Sequence, residues 1–290
     1  MTTVRERYVR CLSPAGFHRM AYAEWGDPQN PRVLVCVHGL TRCGRDFDFL
    51  AQALAADYRV VCPDVVGRGK SDWLRDKMHY AIPQYAQDMT TLLARLDAES
   101  VDWLGTSMGG MIGMALAAQN ETPIRRLILN DVGPLIAAAA LARIGEYLAS
   151  PPDFASPQEA EAYVRMVAAP FGRLSDEQWR QLTANVVKTT PNGRLALRYD
   201  PGIAQPFFAL LQANGAGRDI DLWPLYDAIR CPTLVIRGAR SDLLSRETVA
   251  AMRERGPRAQ SAEIPDVGHA PMFLDAMQVG VVRDFLRGGD

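Results

Sequence analysis

VDWLGTSMGGMIGM, residues 101–114, is an apolar run that reaches a serine set between glycines and then continues as a second apolar run. The run from Val101 to Leu104 fits a buried strand, and the run from Met108 to Ala118 fits a helix that is apolar on every face. Ser107 stands at the break, in the pattern Gly-x-Ser-x-Gly, where the small residues on either side allow a turn tight enough to present the hydroxyl. The stretch predicts a nucleophile elbow with Ser107 as the nucleophile.

Strand-like and helix-like segments alternate on both sides of this elbow, which implies right-handed crossovers and a mostly parallel sheet. With 290 residues, 48% of them hydrophobic, the chain can bury an α/β core of this kind. The predicted strands cover residues 8–12, 19–24, 33–37, 60–62, 101–104, 126–129, 233–236 and 261–264. The predicted helices of the core cover residues 47–55, 80–96, 108–118, 247–254 and 275–286. The first two strands are expected to form an antiparallel hairpin around Pro14 to Gly16.

After the sixth strand the alternation stops for about ninety residues, far more than an ordinary connection between a strand and a helix. This segment contains predicted helices at 135–148, 157–168 and 176–187, separated by prolines and glycines. We therefore expect an eight-stranded, mostly parallel sheet flanked by helices, with a helical cap inserted after strand 6. The expected core comprises residues 1–132 and 225–290, and the expected cap comprises residues 133–224.

A serine nucleophile needs a general base, and His269 is the histidine best placed to serve as one. It lies in Asp266-Val-Gly-His-Ala-Pro271, after the last predicted strand and before the final helix. A loop at the carboxyl end of a strand can carry its side chain over the sheet toward the elbow. His18 lies in the opening hairpin and His79 precedes a long helix, so neither is expected at the site.

The acid that orients this histidine should follow a strand that comes between the serine and the histidine in the chain. Asp242, after the strand at 233–236, meets this requirement and is the predicted acid. Its role would be to hold the imidazole tautomer and to stabilise the imidazolium. Asp131, after the preceding strand, is the rival candidate.

An oxyanion hole needs two backbone donors near the nucleophile. The N–H of Met108 follows Ser107 directly at a helix N-terminus, and the N–H of Leu40 lies in the loop after the strand that ends at Val37. We predict these two donors. His38, in the same loop, is expected to brace it through hydrogen bonds instead of acting as the base.

Charge and cysteine content exclude several classes of protein. With 32 basic and 33 acidic residues the formal net charge is -1, so neither nucleic acid nor an anionic membrane is an expected partner. The five cysteines include no Cys-x-x-Cys pair, and the N-terminus is charged, without the apolar segment of a signal peptide. We expect reduced thiols, a cytoplasmic location and a small-molecule partner.

The motifs that would indicate a cofactor or a metal are also incomplete. Gly69-Lys70-Ser71 resembles the end of a phosphate-binding loop, but that motif requires glycine where Asp64 stands. The segment fits a tight loop after a strand instead. The four histidines are scattered without metal-ligand spacing, so we expect no metal and no cofactor.

Taken together, these motifs closely resemble an α/β-hydrolase with a helical cap, over nearly the whole chain from Arg19 to Leu286. The residues that carry the resemblance are His38-Gly39, Cys62-Pro-Asp-Val-Val-Gly-Arg-Gly-Lys-Ser-Asp72, Gly105-Thr-Ser-Met-Gly-Gly110, Asp242 and Val267-Gly-His-Ala-Pro271. Relatives that cleave carbon–halogen bonds or epoxides have aspartate at the elbow, so Ser107 argues against both activities.

Within the serine hydrolases the resemblance extends to carboxylesterases, lactonases, carbon–carbon bond hydrolases and cofactor-free perhydrolases. The blocks 39–47 and 65–73 look like those of bacterial esterases that act on short hydroxyacid esters or polyester oligomers. The resemblance therefore implies a carboxylesterase that acts on hydroxyacid oligomer esters. The predicted cap is also rich in apolar residues, and a minority of them should line a largely apolar cleft with few charged groups, suited to neutral esters of short to medium acyl chains. The apolar residues in question are Leu135, Ile136, Leu141, Ile144, Leu148, Met166, Phe171, Trp179, Phe207, Phe208 and Leu211. A ligand receptor on a hydrolase scaffold is an alternative from another class, and the sequence leaves the oligomeric state open.

Overall fold

The computed structural model describes residues 4–215 and 217–288. Within these residues the strands are β1 (Arg5–Ser13), β2 (Gly16–Trp25), β3 (Val33–Val37), β4 (Arg59–Pro63), β5 (Val101–Thr106), β6 (Ile124–Asn130), β7 (Leu135–Ile136), β8 (Asp153–Phe154), β9 (Val187–Thr189), β10 (Leu195–Leu197), β11 (Ile220–Asp221), β12 (Thr233–Gly238) and β13 (Gln260–Ile264). The helices are α1 (Asp48–Leu54), α2 (Ile82–Leu96), α3 (Met108–Ala117), α4 (Ala138–Ala149), α5 (Pro157–Val167), α6 (Asp176–Val186), α7 (Ala204–Asn214), α8 (Trp223–Asp227), α9 (Arg246–Glu254) and α10 (Ala276–Arg287). Short 3-10 turns cover Gly44–Phe47, Lys77–His79, Ala169–Phe171 and Pro201–Ile203.

The main sheet has eight strands in the order β1-β2-β4-β3-β5-β6-β12-β13. Strand β2 pairs antiparallel with β1 and with β4, and the remaining neighbours are parallel. The hairpin closes with Ser13 opposite Gly16. The predicted α/β-hydrolase fold, with an eight-stranded and mostly parallel sheet, is confirmed.

Strand β3 shows why this sheet needs helices on both faces. All of its residues are buried, and they alternate between two apolar clusters. Val33, Val35 and Val37 face one cluster, whereas Leu34 and Cys36 face the other. Each fully buried aliphatic side chain contributes about 1.5–3 kcal/mol, so a central strand with two apolar faces is stable only when both faces are covered.

The cap lies between β6 and β12, and it contains more than the predicted helices. Helices α4, α5 and α6 match the predictions closely, whereas α7 was not predicted. The cap also contains a small sheet in the order β8-β10-β9 and the short pair β7 and β11. Strands of two or three residues leave no detectable alternation in a sequence, which is why they were missed. The boundaries 133 and 224 stay a prediction.

None of the helices in the described part of the chain combines the length and the apolar content needed to span a bilayer.

Candidate active site

Ser107 lies in a sharp turn between β5 and α3. Its backbone has φ 52° and ψ −115°, an unusual conformation for a residue with a side chain. A Cβ on Gly109 would lie 2.0 Å from the Val37 carbonyl oxygen, and a Cβ on Gly105 would lie 2.2 Å from the Gly109 carbonyl oxygen. Both contacts are with backbone atoms that cannot move aside. The two glycines are therefore required for the helix to start this close to the sheet.

His269 lies in the loop between β13 and α10 and bridges two other side chains. Its Nε2 is 3.1 Å from the Ser107 Oγ, and its Nδ1 is 2.8 Å from the Asp131 Oδ2. A carboxylate can only accept, so the Nδ1–H donates to Asp131 and the Nε2 lone pair faces the serine hydroxyl. This is the arrangement in which a histidine can take the serine proton. The structure thus brings together Ser107 and His269, the two residues that the sequence pairs as nucleophile and base.

Asp131 follows β6 and is completely buried, with a backbone φ of 53°. Its Oδ1 accepts from the Gly238 N–H at 2.7 Å, and its Oδ2 accepts from the Ser241 hydroxyl at 2.6 Å as well as from His269. These donors satisfy the buried carboxylate and fix its orientation. Asp131, the rival candidate in the sequence, is the carboxylate that accepts the hydrogen bond from His269.

The prediction that Asp242 lies against His269 is wrong. The Asp242 side chain is 51% exposed and accepts two hydrogen bonds from Arg143 of cap helix α4, at 2.7 and 3.1 Å. After β12 the loop turns so that Ser241 faces Asp131 while Asp242 faces the cap. Both aspartates follow a strand between serine and histidine, so chain order alone could not distinguish them.

Two residues that the sequence did not single out hold the loops around Ser107 and His269. The Asn130 side-chain amide donates to the Thr106 Oγ1 at 2.9 Å and to the Pro271 carbonyl at 2.8 Å, which ties the elbow to the histidine loop. Arg68 is fully buried and donates to the Leu40 carbonyl at 2.8 Å. The sequence shows an asparagine and an arginine at these positions, but it does not show that they are buried. Only the structure reveals their role in holding the loops.

His38 braces its loop as predicted. Its Nδ1–H donates to the Gly39 carbonyl at 2.7 Å, and its Nε2 accepts from the Val65 N–H at 2.9 Å. Burial lowers the pKa of His38 to about 3, so the ring is neutral at physiological pH. In the neighbouring loop the Asp64 carboxylate accepts from the Lys70 N–H at 2.8 Å, which closes the tight loop that the sequence predicts there.

A cavity of about 120 Å³ opens over Ser107 and His269. Its lining combines apolar side chains with three cap tyrosines and the charged groups of Arg42, Asp46 and Arg143. Among the apolar cap residues considered from the sequence, Ile144 and Phe171 line it, so most of that set packs elsewhere, as expected. The tyrosines Tyr147, Tyr163 and Tyr199 were not anticipated.

Among the residues described here, one group has the composition of a metal site, and it lies outside the cavity. Cys11, His18 and Asp88 are buried together, and the His18 Nε2 is 2.9 Å from the Asp88 Oδ2. This contact links the opening hairpin to α2. A structural zinc site ordinarily has four ligands, so the hydrogen-bonded pair is the simpler account of the group.

Comparison with known proteins agrees with this geometry. A sequence model described as the Alpha/beta hydrolase family matches residues 34–283. The chain belongs to the alpha/beta hydrolase family. This hydrolase is 55% identical, over 97% of both chains, to a 3-hydroxybutyrate-oligomer hydrolase from Cupriavidus necator.

Solved structures similar to this hydrolase cover it almost completely. A protein from Rickettsia typhi superposes with a TM-score of 0.90 at 31% identity, covering 99% of this chain and 100% of that one. An alpha/beta hydrolase from Novosphingobium aromaticivorans superposes with a TM-score of 0.85 at 37% identity, covering 99% of each chain. This hydrolase therefore shares the fold of these structures over nearly all of the chain.

The two predicted oxyanion donors of this hydrolase lie in elements that border the cavity. Leu40 lines the cavity beside Ser107, and hydrogen bonds from Arg68 and His38 hold its loop. Met108 begins α3, so its N–H lies among the unpaired donors of a helix N-terminus. The assignment of these N–H groups to the oxyanion stays a prediction.

Proposed function

We propose that this hydrolase cleaves carboxylic esters through Ser107, His269 and Asp131, and that esters of short hydroxyacid oligomers are its substrates. The observation that carries the mechanism is the continuous set of hydrogen bonds from Ser107 through His269 to Asp131 at the floor of a cavity. The substrate class is supported by the 55% identity to a 3-hydroxybutyrate-oligomer hydrolase.

In the proposed reaction, the Ser107 Oγ attacks the ester carbonyl while the His269 Nε2 takes its proton. The oxyanion forms near the N–H groups of Leu40 and Met108, which stabilise it without reorganisation. His269 then gives its proton to the departing alcohol, which leaves an acyl-enzyme. Water attacks this ester with His269 as base, and the carboxylic acid is released as Ser107 regains its proton.

The cavity also supports a preference for short to medium acyl groups. Its volume of about 120 Å³ suits a small ligand, and its lining is mainly apolar. The charged groups are largely paired with each other, since Arg42 donates to Asp46 at 2.7 Å through two nitrogens. An uncharged ester can enter such a site without breaking this ion pair and without adding a charge that would have to be buried.

The test is a kinetic panel with a matched inactive variant. The wild-type enzyme is expected to release a burst of p-nitrophenol from p-nitrophenyl butyrate and to cleave 3-hydroxybutyrate oligomers. Ser107→Ala should lower kcat by about 10⁴-fold or more. Circular dichroism should show that the fold of this variant is intact. Lactones and vinylogous diketones complete the panel, and activity confined to either would replace the ester assignment with lactone or carbon–carbon bond hydrolysis.

We also propose a cytoplasmic location for this hydrolase. It is supported by the cysteines, all five of which are free thiols, and four of them are buried. Reduced thiols are typical of proteins in reducing compartments.

A further inference from the structure

Three cap tyrosines line the same cavity as Ser107 and His269. Tyr147 lies on α4, Tyr163 lies on α5, and Tyr199 follows β10. Burial raises the pKa of Tyr199, and the phenols of Tyr163 and Tyr147 raise it further. The Tyr199 phenol therefore keeps its proton at neutral pH and acts as a hydrogen-bond donor.

Tyr199 differs from the other deeply buried tyrosines in its hydrogen bonding. It is only 3% exposed, and its hydroxyl has no partner among the described residues. Four other buried tyrosines have partners for their hydroxyls: Tyr58 bonds to the Leu286 carbonyl, Tyr80 to Asp200, Tyr85 to Arg68 and Tyr226 to the Met252 carbonyl. A buried hydroxyl without a partner destabilises the fold, so a ligand that forms a hydrogen bond with it gains binding free energy.

In the proposed mechanism the reacting ester carbonyl is bound at the elbow by the N–H groups of Leu40 and Met108, which leaves the Tyr199 hydroxyl for another group. The partner must be a second oxygen on the substrate. A simple acyl ester has none beyond the reacting group, whereas a hydroxyacid ester has a hydroxyl or a further ester carbonyl within a few bonds. We propose that the Tyr199 hydroxyl binds this second oxygen and so selects hydroxyacid esters over plain acyl esters, an inference that rests on the proposed function.

The test compares two substrates in matched tyrosine variants. The quantity is the ratio of kcat/KM for the methyl ester of a 3-hydroxybutyrate dimer to kcat/KM for p-nitrophenyl butyrate. Tyr199→Phe should lower this ratio at least about tenfold, because a site built to bond a hydroxyl loses discrimination when that group is removed. Its melting temperature should equal or exceed that of the wild type, because the hydroxyl that is lost makes no hydrogen bond.

Tyr226→Phe is the control, since Tyr226 is fully buried, lies outside the cavity lining and donates to the Met252 carbonyl at 2.8 Å. It should lower the melting temperature and leave the substrate ratio unchanged. If Tyr199→Phe fails to fold, Tyr199→Met takes its place as a second apolar substitution without the hydroxyl. The same fall in the ratio is expected for it. An unchanged ratio in the folded Tyr199 variant overturns the inference.

Failure of this inference can be distinguished from failure of the proposed function. If the wild type cleaves the dimer, Ser107→Ala does not, and the ratio is still unaffected by the Tyr199 substitution, only the role of Tyr199 is lost. If the wild type leaves the dimer intact while cleaving p-nitrophenyl butyrate, the proposed substrate class fails and this inference fails with it.

Discussion

Replacing Asp131 with asparagine changes one atom in the buried site, and the structure determines which way the amide must face. The Gly238 N–H can only donate, at 2.7 Å from the Asp131 Oδ1, so the amide oxygen of the substituted side chain will remain on that side. The NH₂ group then faces the His269 Nδ1, where it donates. The backbone tolerates the change, because asparagine adopts a φ near the observed 53° as readily as aspartate.

The expected loss in Asp131→Asn follows from the histidine tautomer. With an amide N–H donating to it, Nδ1 must be unprotonated, so Nε2 carries the hydrogen and cannot accept the Ser107 proton. The corresponding change in a serine protease triad lowers kcat by about 10⁴-fold, which corresponds to about 5.5 kcal/mol in the activation free energy. The free energy of unfolding should fall by only about 1–2 kcal/mol, because the Gly238 hydrogen bond survives.

Asp242→Asn is the matched control, since it makes the same chemical change in the other candidate acid. It weakens a half-exposed ion pair with Arg143, and such pairs contribute about 1 kcal/mol or less. We therefore expect kcat to stay within about fivefold of the wild type. The assay is steady-state hydrolysis of p-nitrophenyl butyrate by both variants at one pH, with unfolding curves for each. A larger loss in Asp242→Asn than in Asp131→Asn would refute this reading of the site.

Three further predictions concern chain length, pH and packing. Among acetyl, butyryl, octanoyl and palmitoyl p-nitrophenyl esters, kcat/KM should have a broad maximum at short to medium length, since each methylene changes selectivity by only about 1–3 kcal/mol, and a maximum at palmitoyl would contradict the small cavity. The pKa of His38 is about 3 when folded and 6.5 when unfolded, so the unfolded chain binds an extra proton between these values and stability is lost as pH falls through this window. His38→Gln should therefore remove about 2 kcal/mol from the difference in unfolding free energy between pH 7 and pH 5, measured by urea titration. Gly109→Ala should cost about 3 kcal/mol or more because its Cβ would overlap the Val37 carbonyl, whereas Gly280→Ala, in helix α10 with open space around it, should stabilise by about 0.5–1 kcal/mol, and equal melting temperatures would be inconsistent with the elbow packing.

The sheet could be predicted from the sequence because its signals are local. Val33 to Val37 is buried on both faces, and such strands form continuous apolar runs that stand out from their neighbours. The elbow was equally visible, since Gly105 and Gly109 are required by backbone contacts within a short stretch. His269 followed from its place after the last strand.

The carboxylate beside His269 and the polar lining of the cavity could not be predicted, because they depend on how distant parts of the chain are placed. Ser241 and Asp242 are adjacent in sequence, yet one bonds to Asp131 and the other to Arg143 in the cap. A loop's path decides which of two neighbours faces inward, and no periodicity encodes that path. Tyr199 was missed for the same reason, because its burial depends on the cap packing over the core.

Asn130 joins the elbow to the histidine loop with two hydrogen bonds, at Thr106 and at Pro271. The groups that it holds come from distant parts of the chain, and the histidine is in place only when β12 has paired with β6 across the cap and β13 has paired with β12. Parallel strands from remote segments associate late, because closing long loops is slow. Turnover of an ester during refolding should therefore report the docking of β12 and β13 on β6, and activity should return after helical circular dichroism has recovered.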